Sequence, residues 1–296
     1  LPELPDIVAY IKGLERLVVG NTLTALRLSN PFLVRSVDPP IRVIVGRNVR
    51  GMGRIGKRIV FEFEGEYFLV LHLMIAGRLR WRPVGGKAPG RGPLAVFEFD
   101  HGWLILTEAG TKRRASLTLV AGRAPLEAFD RGGIEPLTSS RDAFADQLRR
   151  ENHTLKRSLT DPRLFSGIGN AYSDEILHAA KLSPLLTTAR ITDAQIDVLH
   201  AATQEVLTKW TDRLCRESAD GFPETVTAFR EGMAVHGRFG QPCPVCGTPV
   251  QRIRYVDNET NYCARCQTEG RLLADRSLSR LLKGDWPRSI DEMDGV

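Results

Sequence analysis

Four cysteines near the end of this 296-residue chain have the spacing of a metal site. Cys243-Pro-Val-Cys246 and Cys263-Ala-Arg-Cys266 are two CxxC pairs separated by sixteen residues. Each pair forms a knuckle, and a hairpin between them brings four thiolates together around zinc. Four sulfurs close the tetrahedron and leave no position for water or substrate, so one structural Zn2+ that folds its module is expected, not a catalytic one. A zinc deaminase needs His-x-Glu, and none of the histidines at 72, 101, 153, 178, 200 and 236 has Glu two residues on. Cys215 stands apart and reads as a buried helical residue.

Two further groupings could do chemistry. Gly167-Ile168-Gly169-Asn170 precedes a helical pattern, Tyr172, Ile176, Ala179 and Ala180. Its glycines permit a tight turn, and the following helix N-terminus offers free N–H groups to a phosphate, with the Asn170 amide beside them. An ordinary helix–turn–helix corner explains the same residues. The N-terminus, Pro2-Glu3-Leu4-Pro5-Asp6, sets prolines beside acids, which by itself reads as a helix lead-in with Asp6 as N-cap.

These groups need elements to hold them. From Asp6 to Val19, Ile7, Ile11, Leu14 and Val18 recur at helical spacing before a Gly20-Asn21 stop. Residues 22 to about 120 read as strands: Ile59, Phe61 and Phe63 alternate, Gly65 turns, and Tyr67–Leu73 is a second apolar run. Shorter runs follow at 94–99 and 103–107, after a Gly/Pro-rich loop at 84–93. From 141 to about 218 the pattern is helical, with Phe144/Leu148 and Leu199/Val206/Trp210 on apolar faces. Gln251–Tyr255 and Thr260–Tyr262 supply the strands of the cysteine hairpin. Leu272, Leu273, Leu278, Leu281 and Leu282 suggest a short helical tail. The expected fold is therefore α+β and multidomain, with boundaries at 1–135, 141–232, 235–270 and a tail at 271–296.

Composition fits a globular chain, 42% apolar and 26% charged. The formal charge of +6 admits nucleic acid as a partner without requiring it. Glu3, Asp6, Lys12, Glu15 and Arg16 exclude a signal peptide within the opening residues, and no run approaches a membrane span. Paired cysteines of this kind suit a cytoplasmic protein better than a disulfide framework.

Five elements in order, PELPD at 2–6, GKR at 56–58, HLxxxG at 72–77, GIGNxYxxE at 167–175 and CPxCG…CxRCQ at 243–267, resemble the formamidopyrimidine-DNA glycosylase/endonuclease VIII family of base-excision repair enzymes. The resemblance runs from residue 2 to about 270. It implies an N-terminal β-sandwich with a leading helix, a helix–two-turn–helix domain and a zinc finger, with duplex DNA held between them. It also implies a bifunctional glycosylase and AP lyase, working as a monomer on oxidised bases or abasic sites. Pro2 matches the nucleophile, Glu3 the proton donor that opens the ribose ring, and Lys57 the lysine that assists β-elimination. Asn170, Arg113, Lys156 and Asn258 match phosphate-contacting positions. The chemistry is reasonable. A terminal amine has a pKa of about 8, against about 10.4 for lysine, so much of it is unprotonated at neutral pH. Arg54, Lys57 and Arg58 read equally as one basic turn.

The match has departures. Family chains begin Met-Pro, and loss of the Met frees the proline nitrogen; this sequence begins with Leu. The expectation is an alternative initiation codon read literally, with Met incorporated and then removed. Ile75 stands where HLGMSG carries the Met that fills the gap left by a flipped nucleotide. Arg113-Arg114-Ala115 replaces an Arg-Arg-Phe wedge. Asn258 stands where the finger favours Arg, with Arg254 and Arg265 as possible compensating cations. PELPD leans towards the formamidopyrimidine and 8-oxoguanine branch, whereas residues 211–232, where the base-cupping loop falls, carry no readable pattern. The rival readings are a non-catalytic binder of damaged DNA on this scaffold and a zinc-ribbon regulator.

Overall fold

The computed structural model describes residues 2–86, 90, 92–109, 113–224, 226–227, 229–255, 258–274 and 288–292. The chain divides into two compact units, residues 1–131 with 210–227, and residues 132–209 with 228–296.

The first unit begins with helix α1, Leu4–Val18. Pro5 is tolerated in the first turn, where N–H groups have no helical partner. Its N-cap is Glu3, not Asp6 as the sequence suggested; Asp6 sits at the third helical position and accepts the Glu3 backbone N–H on Oδ2 at 2.9 Å. Ile7, Tyr10, Ile11, Leu14 and Val18 are buried, as the helical period requires.

Two antiparallel four-stranded sheets follow. One has the order β1 (Ala25–Leu28), β6 (Ala95–Phe99), β7 (Gly102–Glu108), β5 (Gly77–Pro83); the other β2 (Val49–Ile55), β3 (Arg58–Phe63), β4 (Tyr67–His72), β8 (Ser116–Ala121). Their inner faces share one core. Ile59, Phe61, Phe63, Leu69, Leu71, Leu117 and Leu119 from one sheet meet Leu79, Phe97, Phe99, Leu104 and Leu106 from the other. Phe61 and Phe97 stack at 6.1 Å. This is the expected sandwich. The continuous apolar run in β4 also has an explanation: the outer face is covered too. Val60, Phe68 and Val70 form a second cluster with Leu126 and Phe129, at and beyond the short helix α2, Arg123–Glu127.

The segment after residue 217 is stapled to α1. Arg16 donates to the carbonyls of Ser218 and Gly221, both at 2.8 Å, and also to that of Ala219. Phe222 packs on Tyr10 at 5.7 Å, and Val226 enters the core. Cys215, expected to be buried, is only half-buried.

The second unit carries α3 (Arg141–Arg149), α4 (Leu155–Thr160), α5 (Asn170–Ala179) and most of α6 (Asp193–Glu217). Ser140 and Thr154 cap α3 and α4 through their hydroxyls. Phe144 and Phe165 meet at 4.7 Å in the core. The hairpin of β9 (Gln251–Arg254) and β10 (Glu259–Tyr262) leads into α7, Ala264–Thr268. Leu272, Leu273 and Ile290 pack with Ile253, Tyr262 and Ala264, and the Tyr262 hydroxyl accepts the Leu273 N–H at 2.8 Å. The helical tail expected from Leu278, Leu281 and Leu282 lies outside the described residues, as do residue 1 and part of the 84–93 loop. Among the described residues no helix is long and apolar enough to cross a membrane.

Candidate functional site

The metal centre is the most completely assembled group. Cys243 and Cys246 come from a turn closed by the Cys243 N–H to Thr248 carbonyl bond and the Gly247 N–H to Cys243 carbonyl bond, each 2.9 Å. Cys263 caps α7, and Cys266 lies within it. All four sulfurs lie within 4.8 Å of one another. Cys243 and Cys266 are 3.9 Å apart, and Cys246 and Cys263 are 3.4 Å apart. Four thiolates at ~2.3 Å around a tetrahedral ion stand ~3.8 Å from one another, so the donor set fits zinc. Burial pushes the Cys263 thiol up to about 11, and burial together with the adjoining sulfurs raises Cys266 as well. Cys246 is lowered to about 6 against the effect of burial, through hydrogen bonds from Thr248. A dication relieves this crowding of sulfurs, and with all four positions taken the zinc is structural.

Around it, the second unit builds a polar network on α5. Asn170 is the first residue of the helix, after Gly169 as N-cap. Its side-chain Nδ2 donates to the Glu259 carbonyl at 2.9 Å, tying the GIGN turn to the finger hairpin. Lys156 Nζ donates to the Asn170 carbonyl and to Asp174 Oδ1, both at 2.6 Å, and its side chain is 11% exposed. The other Asp174 oxygen meets His236 Nδ1 at 2.8 Å. Glu175 accepts three backbone N–H groups, from Ala234, Val235 and His236, at 2.7–2.9 Å. Burial raises the Glu175 pKa, opposed by those same bonds. In the sequence Glu175 is one letter of the GIGNxYxxE motif, and Asp174 and His236 carry no signal of their own. Nothing in their spacing, 62 residues apart, signals a pair.

The finger tip carries Asn258, which is exposed, and the Tyr255 N–H donates to its carbonyl at 2.7 Å. Arg254 is exposed at the end of β9, opposite Glu259. Arg265 is elsewhere, in α7, bonded to Thr248 Oγ1 at 3.2 Å and Asp291 at 2.9 Å, so it is not positioned to replace an arginine at the tip.

In the first unit, Pro2 and Glu3 are buried at the start of α1. Lys57 occupies the two-residue turn between β2 and β3, where Ile55 pairs with Arg58. Gly56 takes φ +59° there, a conformation that costs glycine little. Arg58 pairs with His72 across β3 and β4. Burial, with the charges of Arg58 and Lys57, lowers the His72 pKa to about 4 and keeps the imidazole neutral at physiological pH.

Two loops leave the same end of the β4–β8 pair, where His72 is opposite Ser116. The 73–77 turn is closed by the Gly77 N–H to Leu73 carbonyl bond at 2.9 Å; a Cβ on Gly77 would lie 2.3 Å from that oxygen. Met74 adopts φ +53°, and Ile75 is 61% exposed. Glu108 holds the other loop by accepting the N–H groups of Arg114 and Ala115. Arg113 is exposed. Ala115, 4% exposed, belongs to the sandwich core, so this position does not present a side chain to the surface.

Comparison with known proteins matches this arrangement along the chain. Residues 1–117 match the formamidopyrimidine-DNA glycosylase N-terminal domain, 133–213 its H2TH domain, and 240–268 the zinc finger found in FPG and IleRS. An uncharacterised formamidopyrimidine-DNA glycosylase-like protein of Mycobacterium tuberculosis is 43% identical over 151 residues, which cover 51% of this chain and 94% of that protein. The formamidopyrimidine-DNA glycosylase of Desulforamulus reducens is 31% identical over 277 residues, 90% of this chain and 99% of its own length. The wild-type Lactococcus lactis Fpg, solved with DNA containing N7-benzyl-Fapy-dG, superposes with a TM-score of 0.80 at 25% identity, covering 90% of this chain and 100% of that one. With the sandwich, the GIGN turn and the four-cysteine finger all in place, the chain belongs to the formamidopyrimidine-DNA glycosylase family.

Proposed function

We propose that this chain, a DNA glycosylase for damaged bases, excises oxidised bases from duplex DNA and then cleaves the abasic strand as an AP lyase. Pro2 is the nucleophile in this reading. Its secondary amine attacks C1′ of the damaged nucleotide and displaces the base, and the iminium Schiff base forms when the C1′–O4′ bond of the ribose ring then breaks. Glu3, next in the chain and pinned by Asp6, supplies the proton that opens the ribose ring. Lys57, on a short hairpin turn, assists β-elimination of the 3′ phosphate and contacts the backbone beside the lesion. The observation that carries the reading is the burial of Pro2 and Glu3 at the head of a capped helix, in a chain that also has the family's GIGN turn and zinc finger.

The second unit serves DNA binding. Asn170, at a helix N-terminus with its side-chain Nδ2 fixed on the Glu259 carbonyl, meets a phosphate in this reading, where the positive end of the helix dipole favours an anion. Lys156 acts from beneath, holding the Asn170 carbonyl instead of meeting a phosphate itself. Arg113 and Asn258, both exposed, contact the backbone, and Asn258 contributes a hydrogen bond without charge. In this reading the chain acts as a monomer in the cytoplasm, with functional domains at 1–135, 141–232 and 235–270 and a tail at 271–296.

Borohydride trapping on duplex DNA containing an abasic site tests the lyase directly. Wild type should form a covalent adduct, and Pro2→Gly should lose it. An undiminished adduct from Pro2→Gly, or none from wild type with residue 1 shown to be absent, overturns the mechanism. Intact-mass measurement of natively expressed protein should find Pro2 at the terminus, because an acylated proline nitrogen is not nucleophilic.

A further inference from the structure

Cys243 and Cys263 are the buried half of the zinc centre, 2% and 0% exposed. Four thiolates around Zn2+ leave a net charge of about −2, and burying anionic sulfur is costly without hydrogen-bond donors. Cys246 is exposed to water. Cys263 Sγ accepts the Cys266 backbone N–H at 3.5 Å. Cys243 is served by a side chain: His178 Nε2 stands 3.3 Å from its sulfur.

His178 lies in the last turn of α5, itself 5% exposed. A zinc-bound thiolate can only accept, so the ring nitrogen facing it carries the hydrogen; the opposite tautomer would set two lone pairs against each other. We propose that His178 is part of the metal centre as an outer donor, giving its Nε2–H to the Cys243 thiolate and thereby joining α5 to the zinc. The same helix starts at Asn170, and four further hydrogen bonds hold it, one from Asn170 to Glu259 in the finger hairpin and three to Glu175 from residues 234–236 just before the finger. The His178 contact differs from these because its strength depends on Cys243 being a thiolate, which is the state zinc imposes. Metal occupancy and the seating of α5 are thus coupled at one hydrogen bond.

The experiment uses the full-length zinc-loaded protein and reads metal retention, so it does not depend on whether the glycosylase mechanism is right. Zinc affinity is measured by competition with a chromophoric chelator for wild type, His178→Ala, His178→Phe and His178→Gln. Outer-shell donors are worth roughly 10–100-fold in metal affinity. His178→Phe keeps a ring in the cavity and removes the donor, so it should lose affinity on that scale, as should His178→Ala. His178→Gln, which retains an N–H, should recover part of it. Retention by His178→Phe within twofold of wild type overturns the proposal, since packing alone would then account for the residue. If His178→Phe fails to fold, cobalt-substituted His178→Ala, which also lacks the donor, decides. A shifted thiolate-to-cobalt absorption band supports the hydrogen bond, and a band and affinity both unchanged while a control His200→Gln behaves identically overturn it.

Discussion

His72 ends β4 opposite Arg58 of β3, and burial together with the charges of Arg58 and Lys57 keeps its imidazole neutral. The neutral state of His72 gives stability a pH dependence with a definite sign. Its folded pKa, about 4, lies below the ordinary histidine value of about 6.5. The unfolded chain therefore binds the proton first, and this contribution is complete above about pH 6.5 and lost as pH falls towards 4. His72→Gln should flatten that part of the stability profile, a difference on the order of 2 kcal/mol in chemical denaturation at pH 4.5 against pH 7.5. Lys57→Ala should slow strand cleavage at a preformed abasic site by roughly 10–100-fold, the usual range for a positioned acid–base group, and slow base release less. Separate single-turnover measurements of the two steps check this, and an equal loss in both would remove Lys57 from the elimination. Met74 makes a simpler case. A non-glycine residue at φ +53° carries a steric cost of about 1 kcal/mol, so Met74→Gly should be neutral to stabilising in thermal unfolding, despite the greater freedom of glycine in the unfolded chain.

Among the elements, α5 is the most heavily committed. One turn carries Asp174, shared between Lys156 and His236, and Glu175, which accepts three amides of the 234–236 segment. Removing one partner of a buried pair leaves the other charge uncompensated. Asp174→Ala should therefore cost about 3–5 kcal/mol in denaturant unfolding. Lys156→Met, which removes the opposite charge but keeps the volume, should cost a similar amount alone. In the double variant the costs should fall well short of additive, because neither charge is then stranded. Simple additivity would show that the two side chains do not work as a pair. The finger hairpin has a comparable dependence, with Asn170 and Glu259 joined across 89 residues of sequence. Helical periodicity placed α5 correctly but said nothing about which of its polar residues would be inside. Ser173, Asp174, Glu175 and His178 are all buried, although by residue type each belongs on a surface.

For the molecule as a whole, zinc and DNA are the two ligands that set its behaviour. Chelation should unfold the finger and, with Asn258 and the Glu259 support of Asn170 lost, reduce affinity for lesion-containing duplex by at least tenfold, while intact mass still reports the same N-terminus. Retained affinity after complete zinc removal would detach the finger from DNA binding. An excision panel of 8-oxoguanine, formamidopyrimidine, thymine glycol and abasic substrates addresses lesion preference.

The zinc site was legible from sequence because CxxC pairs are local: two residues between thiols form a knuckle whatever surrounds them, and one hairpin completes the tetrahedron. Periodicity likewise placed α1, the alternating strands and the apolar faces of the later helices, since each follows from repeat geometry within one element. Family resemblance named Pro2, Glu3 and Lys57 as a catalytic set, which spacing alone would have read as a helix lead-in and a basic turn. Tertiary structure decided the remainder. It made Glu3 the helix cap in place of Asp6, drew Lys156 inward to Asp174, put Ala115 in the core, took Arg265 away from the finger tip and set His178 against Cys243. Each of these depends on residues distant in sequence, or on a side chain choosing between solvent and a buried partner. That choice is settled by desolvation against hydrogen bonding, a balance that exists only once the packed interior has formed.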